Sequence, residues 1–177
     1  TTTFAPASVG GQVTCTQPGH AGWCIGDAVL NLTAAEEIPG HWISGIESDK
    51  YGLLCATNTS APTCAWTFPE GDNSINFWAL SSYGDTSHLS FASARVDHTL
   101  PNIALTKTGT NGNAGWYTSA VELNITASDF TSGLALLEYS LDGSAWISGP
   151  SLTLADGVYA LTVRATDNAG NVTTYSE

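Results

Sequence analysis

Apolar and polar residues alternate through Leu30, Leu32 and Ala34, with Asn31 and Thr33 between them, and again through Leu123, Ile125 and Ala127, with Asn124 and Thr126 between. A period of two is the period of a β-strand, so each stretch predicts a strand with one face buried and one face wet. The two stretches belong to one repeated string. GWCIGDAVLNLTAAE (residues 22–36) returns as GWYTSAVELNITASD (residues 115–129) at an offset of 93 positions. A second alternating pair, Ile75, Phe77 and Ala79 against Leu161, Val163 and Ala165, matches at an offset of 86, with Gly84 falling on Gly170. Offsets change where loops differ in length, so the chain reads as two copies of one unit, each of ordinary small-domain size.

In the second copy the pattern predicts strands near 102–106, 121–127, 134–140, 145–147, 151–154, 159–166 and 172–176. Asp142-Gly143 between extended runs is a strong short hairpin signal. The first copy predicts strands near 12–16, 28–34, 46–54, 64–68, 74–80 and 88–96. So many short, half-apolar strands bury their faces only as stacked antiparallel sheets, and no window keeps a helical period. The expected fold is all-β: two tandem immunoglobulin-like antiparallel sandwiches, over 1–97 and 98–177, joined by the short Pro-containing segment RVDHTLPNI.

Composition narrows the function. The net charge is −12. Residues 1–97 carry nine acids and two bases, and 98–177 carry seven and two, giving −7 and −5. With four Lys and Arg in all, the chain lacks the cations that hold phosphate backbones or anionic lipid, so nucleic acid is excluded as a partner and membrane insertion is not expected. The opening residues TTTFAPASVG show no leader pattern, and no apolar run approaches the ~20 residues that span a bilayer. The chain reads as a piece of a longer exported protein.

Cys15, Cys24, Cys55 and Cys64 all lie in the first copy, as two C-x8-C pairs. Local pairing is one of three connectivities and the one expected, because each bridge closes a short loop inside or beside a hairpin. Zinc requires closer Cys or His spacing than this. Bridges of this kind place the chain in an oxidising, extracellular compartment.

Chemistry-bearing patterns are sparse. Nucleophile elbow, zincin, C-x-x-C and phosphate-loop motifs are absent from the sequence, and His20, His41, His88 and His98 are scattered, so the expectation is no enzyme and no cofactor. Trp42, in the loop EIPGHWISG, and Trp78, alternating outward between Phe77 and Ala79, are candidate ligand-stacking residues for a surface glycan or a partner protein. Trp23 and Trp116 recur at the same strand entrance and are expected in the core. Acidic loops suggest a calcium site at the domain junction, from Glu70, Asp72, Asp97, Asp129, Asp167 and Asn171, with turn self-capping as the competing account. The sequons at Asn31, Asn58, Asn124 and Asn171 are read as strand and turn residues rather than glycan acceptors.

GWYTSAVELNITASD, GLALLEYSLDGSAW and DGVYALTVRATDNAGN together resemble the bacterial immunoglobulin-like repeats strung along adhesins and secreted multidomain enzymes. The resemblance implies a non-catalytic spacer, stalk or adhesion module, with neighbouring domains of the parent chain as partners and a rod-like stacking of units. Asp156-Gly157-Val158-Tyr159 also resembles the tyrosine corner of sandwich folds, whereas Asn73 holds the matching place in the first copy. That difference predicts a first unit weakened at the corner and supported by its disulfides.

Overall fold

The computed structural model describes residues 8–177, so the first seven residues read for a leader lie outside the described part. It is all β-strand and turn, and it divides into two compact units whose boundary in the chain falls between Asp97 and His98, with Gly19–Ala21 grouped with the second.

The first unit contains β1 (Ser8–Cys15), β2 (Trp23–Cys24), β3 (Ala28–Ala35), β4 (Ile43–Ser48), β5 (Gly52–Thr59), β6 (Thr63–Thr67), β7 (Gly71–Ser81) and β8 (Ser90–Val96). They form a three-stranded sheet, β1-β3-β6, and a five-stranded sheet, β2-β8-β7-β4-β5. All pairings are antiparallel except β2 with β8. The alternation read from the sequence fills the space between the sheets. Leu30, Leu32 and Ala34 from one sheet meet Ile46, Ile75, Phe77 and Ala79 from the other in a single buried cluster.

The second unit contains β9 (Asn102–Thr108), β10 (Val121–Ser128), β11 (Leu134–Ser140), β12 (Ile147–Ser148), β13 (Ser151–Leu154), β14 (Thr162–Asp167) and β15 (Val172–Ser176). Its sheets run β13-β10-β9 and β12-β11-β14-β15. Leu123 and Ile125 of one sheet pack against Tyr139 and Val163 of the other, with Leu161 beside them. Both units are therefore two-sheet sandwiches of immunoglobulin-like architecture.

Several expectations change. The single strand read over 46–54 is two, β4 and β5, because residues 49–51 turn and Gly52 adopts a left-handed φ of 67°. The strand read over 159–166 begins at Thr162, with Leu161 pairing its main chain with Glu177 just before it, and residues 155–160 lie outside the sheet. The strand read over 145–147 is the two-residue β12. β2, a short parallel partner of β8, has too little sequence to show a period.

The disulfides are Cys15–Cys24 and Cys55–Cys64. This is the local pairing expected from the spacing, and the placement adds what spacing does not show. Cys15 lies in β1 and Cys24 in β2, the edge strands of the two sheets on one side, while Cys64 in β6 and Cys55 in β5 are the edge strands on the other. Each bridge joins one sheet to the other, so the first sandwich is stapled along both open sides.

The corner is also corrected. Tyr159 Oη donates to the carbonyl of Ala155 at 3.4 Å, four residues back. At the matching place Asn73 Nδ2 donates to the carbonyl of Pro69, also four residues back, at 2.7 Å. Asn73 is only 3 % exposed, donates again to Gly71 O and accepts from Tyr51 Oη. The first unit keeps the corner bond with a different side chain, so the expected weakness at this point is removed.

Candidate functional site

The two tryptophans proposed as ligand-stacking residues lie apart. Trp42 precedes β4, is 44 % exposed, and is held through its main chain to Ser82. Trp78 is half-buried on β7 and lies across from Glu47 on β4. Trp78 lies four positions along the chain from Ser82, the partner of Trp42, roughly 13 Å of strand. They do not make one surface.

Among the junction acids, Asp72 Oδ2 is bonded to Arg95 Nε at 3.2 Å on an exposed part of the first unit, and Glu70 is exposed beside it in sequence. Asp97 is fully buried at the end of β8, where its amide donates to Cys24 O. In the second unit Asp129 and Asp167 bring carboxylate oxygens within 4.8 Å of one another. Most of that oxygen is already used. Asp129 Oδ1 accepts the amides of Thr131, Ser132 and Gly133, and Asp167 Oδ1 accepts those of Gly170 and Asn171. Asn171 Nδ2 donates to Asp167 Oδ2 at 2.9 Å. Each aspartate caps its own turn, as short acidic side chains do.

A concave site lies elsewhere, at one end of the second unit. An open cavity of about 820 Å³ sits between the 114–119 loop and the 154–161 segment. Its floor is apolar and continuous with the core, through Val121, Leu123 and Leu161. Trp116, Tyr117 and Tyr159 wall it, and Lys107, Asp156 and Glu177 stand among the lining residues. The opening follows from the chain leaving the sheet before Thr162: Leu161 pairs its main chain with Glu177, and the residues before it swing clear. Trp116 was expected in the core and is instead 59 % exposed.

The loop that carries Trp116 is tightly determined. Ala114 and Gly115 both have left-handed φ, 52° and 81°, and Trp116 N closes the turn onto Asn113 O. Two positive φ values in succession are what a type I′ turn needs. Ala21 and Gly22, at the offset of 93, repeat the pair with φ of 51° and 81°. For alanine this conformation costs about 1 kcal/mol or more, yet both copies retain it. Behind the rim, Lys107 is ion-paired with Glu177, which also accepts from Tyr175 Oη. The bond to Glu177 holds the Lys107 ammonium above its ordinary range. Burial pushes the Glu177 carboxyl up, but the bonds from Lys107 and Tyr175 outweigh it and the net direction is down.

The sequence contained one signal for this site. Trp116 directly follows Gly115 and Tyr159 lies two residues after Gly157, positions where the backbone turns rather than continues a strand.

No family model matches the chain, and no curated protein matches it. Among solved structures it is similar to the fibronectin(III)-like modules of CbhA from Clostridium thermocellum, at 19 % identity and a TM-score of 0.35, over 96 % of this chain and 91 % of that one.

Proposed function

We propose that the chain is a pair of non-catalytic immunoglobulin-like modules of an exported bacterial multidomain protein, serving as a spacer or adhesion stalk. The observation that carries this reading is the build of the chain: two complete sandwiches with separate cores, in which only the five residues 97–101 part the last strand of one from the first strand of the next. So short a connection, containing Pro101, suits modules that keep a set spacing rather than swing on a tether. The two inter-sheet disulfides favour an extracellular setting.

Solution scattering tests the spacer. It predicts an elongated particle, and a compact globule would refute it. A hydrolase substrate panel tests the absence of catalysis, with turnover above the blank as the contrary result. The calcium expectation names Glu70, Asp72, Asp97, Asp129, Asp167 and Asn171. A thermal melt in millimolar calcium against chelator decides it: a raised melting temperature supports the ion, and superimposable curves remove it.

A further inference from the structure

We propose that the open end of the second unit binds a neutral saccharide, stacked on Trp116 and Tyr159 and hydrogen-bonded by Asp156. This is independent of the spacer reading and moves the aromatic binding surface away from Trp42 and Trp78.

Size and shape come first. A cavity of about 820 Å³ is within the range of small-molecule sites, and its floor is apolar. The rings add a second observation. Trp116, Tyr117 and Tyr159 all line the cavity and all keep a third or more of their surface in solvent. Exposed ring surface forgoes about 25 cal/mol per Å² of burial, and the unit's own buried core is small. Tyr159 closes the corner of the fold through its hydroxyl, but Trp116 and Tyr117 keep exposed ring surface at the same opening, in a unit with few large buried side chains, and folding does not explain theirs.

The rings are also held in place. Trp116 rides on a turn whose left-handed Ala114-Gly115 pair is closed by Trp116 N to Asn113 O and by Gly112 N to Trp116 O at 2.7 Å. Tyr159 is tied by its hydroxyl to Ala155 O, and its ring lies close enough to Gly157 that a Cβ there would meet it at 3.1 Å. A wall that is ordered before binding loses little entropy on binding.

The chemistry selects the ligand. Pyranose rings present apolar C–H faces, which ring faces cover, and hydroxyls, which a carboxylate accepts. Asp156 supplies that acceptor at the lining, while Lys107 and Glu177 neutralise each other. The lining therefore has a formal charge of −1 within a chain of −12, which disfavours phosphorylated or sulfated ligands. A cationic peptide would need more than the single unpaired carboxylate of Asp156, since Glu177 is occupied by Lys107.

The test is calorimetric titration of the whole two-unit chain with hexasaccharides of glucose in β-1,4 and α-1,4 linkage, xylose, mannose, galactose and N-acetylglucosamine, with a heparin hexasaccharide and hexalysine alongside. At least one neutral hexasaccharide is expected to bind with a dissociation constant of ~1 mM or tighter. Trp116→Ala should weaken it about tenfold or more, as loss of a stacking ring implies. Asp156→Asn, at an exposed side chain, should weaken it severalfold, and Phe91→Ala on the exposed face of the first unit should leave it unchanged. Absence of binding by every neutral glycan, binding of heparin or hexalysine alone, or undiminished affinity in both Trp116→Ala and Asp156→Asn would overturn the proposal.

Discussion

Replacing Asn73 by alanine should unfold the first unit far more readily than removing the Tyr159 hydroxyl unfolds the second, although the two side chains close the same corner. Asn73 makes three hydrogen bonds, to Pro69 O at 2.7 Å, to Gly71 O at 3.0 Å and from Tyr51 Oη at 2.9 Å. Each contributes about 1 kcal/mol net in a buried setting, so Asn73→Ala should cost about 3 kcal/mol. For a domain of this size that is a fall of roughly 12–24 °C in melting temperature. Tyr159 has one bond of 3.4 Å at a solvent-exposed hydroxyl, and Tyr159→Phe should cost under ~0.5 kcal/mol. Tyr51→Phe separates the contributions: it keeps the ring against Trp66, at 4.7 Å between centroids, and deletes only the hydroxyl, for about 1 kcal/mol. Asn73→Asp should be no milder than alanine, because it turns a carboxylate toward two carbonyl oxygens. Calorimetry of the full chain resolves the two units, and urea titration followed by tryptophan fluorescence weights the first, which holds Trp23, Trp42, Trp66 and Trp78. Equal costs for Asn73→Ala and Tyr159→Phe would refute the value assigned to burial and to the two further bonds of Asn73.

Further outcomes follow from other contacts. Glu138 is 8 % exposed and takes both Nε and Nη2 of Arg164, whose guanidinium also covers the Trp146 ring at 4.2 Å, so Arg164→Ala should cost the second unit about 3 kcal/mol in urea. Arg164→Met combined with Glu138→Met should recover most of it, and a single-variant loss below ~0.5 kcal/mol would contradict the pairing. Reduction should cost the first unit about 2–3 kcal/mol of stability for each bridge, lowering its melting temperature, and leave the cysteine-free second unit where it is. The amides of Ala145 and Ser144, with the hydroxyls of Ser144 and Ser140, hold the Asp142 carboxyl well below its ordinary value of 3.8. A depressed folded value means that this contribution is complete above the unfolded value and lost as pH falls below it. The urea midpoint of the second unit should drop between about pH 4 and about pH 2, and Asp142→Asn should flatten that limb.

The sandwich was legible where burial has a period. Leu30, Leu32, Leu123 and Ile125 alternate because one face of each strand meets the core, and the repeat offset confirmed the pattern independently. The β4–β5 turn was missed although Asp49 and Gly52 flank it, because the apolar residues on either side read as one run. C-x8-C states how large a loop each bridge closes, not which sheet either cysteine belongs to, so the stapling of both sides could not be read from spacing. Asn73 looked like a loss because sequence shows which side chain is present, not which carbonyl it reaches. Trp116 was misassigned for a related reason. Its position at a strand entrance recurs and Gly115 marks a turn there, but that Ala114 joins Gly115 in the left-handed region and carries Trp116 to the surface shows only in the backbone.

The two edge bridges of the first sandwich have a mechanical consequence. When the ends of the chain are drawn apart, the residues inside each bridged loop are shielded from tension and do not extend. With cysteines nine positions apart and Cα atoms 5.7 Å and 6.6 Å apart, each loop withholds about 25 Å of contour at ~3.5 Å per residue. An unravelled first unit therefore lengthens by roughly 50 Å less when oxidised than when reduced, and its two sheets stay linked at both margins even after every hydrogen bond has ruptured.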